Sequence, residues 1–102
     1  MTFGTHIAEA RKALRLSQKD LAARIIKEDG QPISAQYLND IEHDRRNPPS
    51  EDMIKQFAKH LKLEQEVLFY LAGKLTQDMM RTSVEPEKIV AAYQAFRKAL
   101  NK

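Results

Sequence analysis

Four short side chains fall on one flank of a helix-like stretch in "ISAQYLNDIEHDRRNPPS", residues 33–50. They are Ala35, Gln36, Asn39 and Asp40, spaced so that one pair lies a turn above the other. Leu38 and Ile41, with Tyr37 beside them, take the opposite flank. Two amides and a carboxylate offer donors and acceptors at close range. Arg45 and Arg46 follow just past the end, before Pro48 and Pro49. This is chemistry for non-covalent recognition. Catalytic chemistry finds little support. His6, His43 and His60 stand on separate segments at no metal-ligand spacing, there is no cysteine, and no glycine-rich phosphate loop occurs. The reading is therefore not an enzyme, with no metal and no cofactor.

The elements that must hold these residues are helices. Phe3, Ile7, Ala10 and Leu14 recur at a period of about 3.6 residues and define a first helix. A second opens at "SQKDLAARII", where Ser17 and Asp20 form a capping-box pattern. Its buried face is expected to be Leu21, Ala22, Ile25 and Ile26, with the helix running on through Ile26 or Lys27. "EDGQP" breaks it through Gly30 and Pro32. Ser34 caps the third helix, to about His43, and Ser50 a fourth with Met53, Ile54, Phe57, Ala58 and Leu61 inward. A fifth, from about Gln65 to Ala72, offers Val67, Leu68 and Leu71, with Gly73 at its C-terminal cap. "KLTQDMMRTSVE" has weak periodicity and reads as a connector. Pro86 suits the first turn of a sixth helix, lined on one side by Ile89, Tyr93, Phe96 and Leu100. No β alternation is present.

The totals agree with one small domain and a short appendage: 102 residues, 42% hydrophobic and 30% charged. No apolar run approaches about 18 residues, so no membrane span is expected. The N-terminus lacks a secretory pattern, and the absence of cysteine suits the cytoplasm. The net charge of +3 mildly favours a polyanionic partner.

"FGTHIAEARKALRLSQKDLA", "YLNDIEHDRRNPPS" and "FAKHLKLEQEVLFYLAG" together resemble the phage-repressor and Cro (Xre) family over residues 3–73. The resemblance implies an all-α fold: a five-helix lambda-repressor-like helix-turn-helix domain, here followed by a connector at 74–85 and an additional helix at 86–101. It implies that the third helix enters the DNA major groove, which at about 12 Å admits one α-helix. Ala35, Gln36, Asn39 and Asp40 would then read bases. Gln and Asn can pair with adenine at two atoms, Asp can accept from cytosine, and Ala can touch a thymine methyl. By the same resemblance Gln18, Lys19, Arg45 and Arg46 hold phosphates; Tyr37 either packs under the helix or reaches a phosphate with its hydroxyl. Arg11 and Glu42 fall where relatives form a buried ion pair.

Two departures stand out. Relatives usually carry glycine where Asp44 stands, and Asp tolerates the left-handed conformation better than most residues. The stretch "IIKEDGQPI" exceeds the family's tight turn of about three or four residues. It is either an inert surface excursion or a source of contacts through Lys27 or Gln31. The expected function is a sequence-specific DNA-binding transcriptional regulator, a homodimeric repressor binding double-stranded DNA at an inverted repeat. Its dimer contacts are expected at Ile89, Tyr93, Phe96 and Leu100. The alternatives are a DNA-binding antitoxin that grips a protein partner, or a bridging-factor adaptor that contacts proteins.

Overall fold

The computed structural model describes residues 1–80 and 83–101. Seven helices occur among the described residues: α1 (Phe3–Ala13), α2 (Gln18–Ala22), α3 (Ala35–Glu42), α4 (Glu51–Leu61), α5 (Gln65–Ala72), α6 (Gln77–Met80) and α7 (Pro86–Leu100). α6 is a single turn within the stretch read as a connector, of which Arg81 and Thr82 lie outside the described residues. None of these helices is long and apolar enough to cross a membrane.

The core is drawn from the first five helices and the loop after α2. Ile7, Leu21, Ile25, Leu38, Ile54, Phe57 and Leu68 are fully enclosed. α1 packs on α3, α4 and α5, while α2 packs on α3. Phe3 meets Phe57 edge to face, with ring centroids 6.4 Å apart. α2 has only five residues and could not persist alone. Burial of Leu21 and Ala22 holds its inner face, and Ser17 closes its start. The Ser17 hydroxyl accepts from the Asp20 N–H, and the Asp20 carboxylate accepts from the Ser17 N–H. Hydrogen bonding to Ser17, side chain first and backbone second, holds the Asp20 carboxyl below the usual carboxylate range against a smaller opposing desolvation.

α2 stops at Ala22, earlier than its apolar pattern predicts, and Ile26 is partly exposed instead of buried. The reason is a small hairpin in place of the tight turn. The Ile33 N–H donates to the Ile25 carbonyl, and the Lys27 N–H to that of Gln31. Gly30, at φ +86°, donates back to the Lys27 carbonyl. This is the pattern of a three-residue hairpin loop with glycine at its left-handed position. The base of the hairpin carries Ile25 and Ile33 into the core, while Lys27 to Gln31 at its tip are exposed. The loop is therefore not an inert excursion. Gln56 of α4 clamps it: its Oε1 accepts from the Ile26 N–H at 2.7 Å, and its Nε2 donates to the Ile26 carbonyl at 2.8 Å.

The start of α1 is seated on the end of α3. A Cβ on Gly4 would lie 2.6 Å from the Glu42 carbonyl oxygen, 2.7 Å from Asp44 Oδ1, and closer still to the Ile41 carbonyl oxygen. Asp44 adopts the left-handed conformation at φ +57°. Its side chain does more than tolerate that turn. Oδ1 accepts from the Gly4 N–H at 2.9 Å and Oδ2 from the Thr2 hydroxyl, placing a carboxylate at the positive end of α1. Gly4→Ala should destabilise the protein by about 1–3 kcal/mol, because backbone cannot yield as a flexible side chain can. The midpoint of thermal unfolding should fall by roughly 4–8 °C per kcal/mol. An unshifted midpoint would show that α1 and α3 can separate freely.

Candidate nucleic-acid interface

Ser34 starts α3, its hydroxyl accepting from the Tyr37 N–H at 3.0 Å. Leu38, Ile41 and Glu42 point inward and are buried. Ala35 and Gln36 are exposed, while Asn39 and Asp40 are half-buried one turn later. The structure thus brings Ala35, Gln36, Asn39 and Asp40 onto one flank of the helix.

Two networks lie beneath and beside that flank. The deeper one centres on Glu42. Arg11 Nε donates to Glu42 Oε2 at 2.7 Å and Nη2 to Oε1 at 3.0 Å, both groups being buried. Arg11 Nη1 also donates to the Leu16 carbonyl at 2.8 Å. Gln18 Nε2 donates to Glu42 Oε1 and to Asn39 Oδ1, each at 3.0 Å. Both hydrogens of the Gln18 amide are thereby committed, and its oxygen can only accept. Held so, the Gln18 side chain turns both amide hydrogens toward α3. Lys19 beside it is exposed.

The shallower network centres on Asp40. Its carboxylate accepts from Gln36 Nε2 at 3.1 Å and lies 3.8 Å from Arg45 Nη1 and 3.6 Å from Arg46 Nε. The Arg46 guanidinium also covers the half-buried Tyr37 ring, 4.6 Å from its centroid. Tyr37, Arg45, Arg46 and Asn47 face one concave shelf, closed by Pro48, Pro49 and Ser50. Exposed pairs of this kind contribute about 0–1 kcal/mol, so the arginines are held lightly.

Sequence reasoning missed three of these roles. It placed Asp40 among the base readers and did not see that it gathers two arginines. It did not foresee the Gln18–Asn39 bond or the Gln56 clamp, both of which join residues far apart in the chain. The stripe of Ile89, Tyr93, Phe96 and Leu100 is exposed along α7, which has no buried residue. Phe96 meets Tyr70 of α5 at a centroid distance of 6.0 Å.

A short capped helix, a second helix behind it, and a polar flank ending in cations define the helix-turn-helix class of DNA-binding protein. Residues 7–64, more than half of the chain, match the helix-turn-helix family model. The chain belongs to that family in its Xre-like form, a family of DNA-binding transcriptional regulators and not of enzymes. In structure the chain is similar to a chain of the SinR protein/SinI protein complex, with a TM-score of 0.56 and 22% identity. The match covers 96% of this chain and 99% of that one, and at this identity it shows the shared all-helical fold. No curated protein matches the chain in sequence.

The two networks should differ sharply in weight. Glu42→Ala strands the Arg11 charge in the core and should cost about 3–5 kcal/mol in urea unfolding. Asp40→Ala removes only surface pairs and should cost about 1 kcal/mol or less. Equal losses would mean that the Arg11–Glu42 pair is not enclosed as described.

Proposed function

We propose that the protein is a cytoplasmic, homodimeric transcriptional repressor that reads an inverted-repeat operator with α3. The observation that carries this reading is the polar flank of Ala35, Gln36, Asn39 and Asp40, set at the start of a capped helix and bordered by Arg45 and Arg46. In the proposed complex Gln36 is the main base reader. It is the longest amide on the flank and can address adenine at both N6 and N7. Lys19, Arg45 and Arg46 follow the phosphates, with fixed guanidinium forks suited to that task. Two-fold symmetry then calls for half-sites about 10–10.5 bp apart.

A gel-shift titration across salt concentrations, with competitor DNA, tests this. Arg46→Ala should weaken binding to specific and non-specific DNA alike and lower the salt slope by about 1. Gln36→Ala should cost about 1–3 kcal/mol on the best site and leave non-specific binding nearly unchanged. If Gln36→Ala lost both affinities equally, Gln36 would be holding the backbone and α3 would be turned away from the bases.

Dimerisation is proposed through α7, whose Ile89, Tyr93, Phe96 and Leu100 recur at the spacing of a helix–helix seam. A second reading comes from the same exposed stripe: it would grip a different protein, as in a DNA-binding antitoxin. The structural neighbour is itself from a complex of two named proteins. Deleting residues 85–102 should shift the protein toward monomer in sedimentation and weaken operator binding. A dimer that survives the deletion would place the self-contact elsewhere and leave the stripe to a partner.

A further inference from the structure

A line of hydrogen bonds begins in the core and ends on the polar flank of α3. Glu42, paired with Arg11, accepts from Gln18 Nε2, and that nitrogen also donates to Asn39 Oδ1. Each atom in the line is dictated by the one before it. A carboxylate buried beside a guanidinium only accepts here, so Gln18 must turn its NH2 toward Glu42. An NH2 only donates, so Asn39 must turn its oxygen toward Gln18. Rotating the Asn39 amide would set two NH2 groups against each other in a half-buried position and lose the bond.

Asn39 Nδ2 is what remains. Among the described residues it meets no partner, and no unpartnered side-chain nitrogen or oxygen is sealed from solvent. It therefore keeps contact with solvent, one turn beyond Ala35. A free asparagine can match adenine by giving to N7 and taking from N6. An asparagine whose oxygen is turned back toward Gln18 presents its NH2, not its acceptor, on the outer side. Guanine presents two major-groove acceptors, N7 and O6, whereas thymine presents one, O4, beside its methyl group, adenine one next to an amino group, and cytosine an amino group.

We propose that Asn39 reads as a donor only and selects guanine, and that Gln18 is the positioning residue that fixes this polarity. The proposal rests on α3 reading the major groove, as set out under Proposed function. The ion pair in the core would thus determine one letter of the operator through two amides.

The test is selection of bound DNA from a random pool by the full-length protein, by Asn39→Ala and by Gln18→Met, which keeps the side-chain length without the amide. Circular dichroism and thermal melts establish that each variant is folded, and Asn39→Asp supplies a second variant with an acceptor in place of the donor. The wild type should prefer guanine by about tenfold or more at one position per half-site. Asn39→Ala should erase the preference at that position alone. Gln18→Met should let adenine compete there to near parity, and Asn39→Asp should move the preference to cytosine. Adenine at the Asn39-dependent position in the wild type, or an unchanged guanine preference in Gln18→Met, overturns the proposal. A wild type that selects no sequence overturns the groove reading itself, a separate outcome that no result with the Asn39 or Gln18 variants can mimic.

Discussion

The pair between Arg11 and Glu42 is the constraint on which the arrangement of α1, α2 and α3 depends. Buried pairs of this kind are poor evidence for net stability, because desolvation offsets much of the attraction. Their consequence is geometric. Both carboxylate oxygens are committed, Oε1 to two donors at once, and Arg11 has a third bond to the carbonyl that ends the α1–α2 turn. α3 therefore cannot rotate without stranding a charge. Backbone contact fixes the same end of α3, since Gly4 and Asp44 press the first turn of α1 onto its last carbonyls. A helix whose C-terminal end is held by both backbone contact and buried charge has one pose, and its polar flank inherits that pose.

The long turn between α2 and α3 follows from the same need. Lengthening the turn from about four residues to about ten costs roughly 0.8 kcal/mol in closure entropy. Enclosing Ile25 and Ile33, at about 1.5–3 kcal/mol each, offsets that many times over. The hairpin therefore works as core, and Gln56 ties its backbone to α4 so that the extra length adds no freedom to the start of α3. Its tip carries Glu28 and Asp29 beside Lys27, with Asp29 3.8 Å from the Lys27 ammonium. That charge balance suits solvent better than a phosphate backbone.

The sequence made α2, α3 and α4 legible because each has a capping residue and an apolar period: Ser17, Ser34 and Ser50 open them. It misjudged the end of α2 because Ile25 and Ile26 continue a helical pattern that a hairpin can also use, with one inward and one outward. Periodicity cannot tell these apart over so short a run. The flank of α3 was legible for the same reason as its core face. The partners of Gln18 and Asp44 were not, because each bond depends on where two elements cross. Thr2 and Asp44 are 42 residues apart, and no local rule joins them.

A carboxylate set among cations has a physical reason once the two networks are weighed. Asp40 holds Arg45 and Arg46 at separations near the limit of an ion pair, on a surface where water competes. Such contacts are exchanged at little cost. The Tyr37 ring under Arg46 adds about 0.5–1 kcal/mol of attraction that does not depend on the carboxylate. In the proposed complex a phosphate could therefore take both arginines from Asp40 while the ring keeps Arg46 in place. The amides are treated differently. Asn39 is tied through Gln18 to a buried charge and cannot reorient cheaply, whereas the arginines can. Base reading needs a fixed donor or acceptor within a few tenths of an ångström, while backbone tracking must follow a duplex that bends. The deep network supplies the first and the shallow network the second, and Asp40, touching Gln36 as well as both arginines, sits where the two requirements meet.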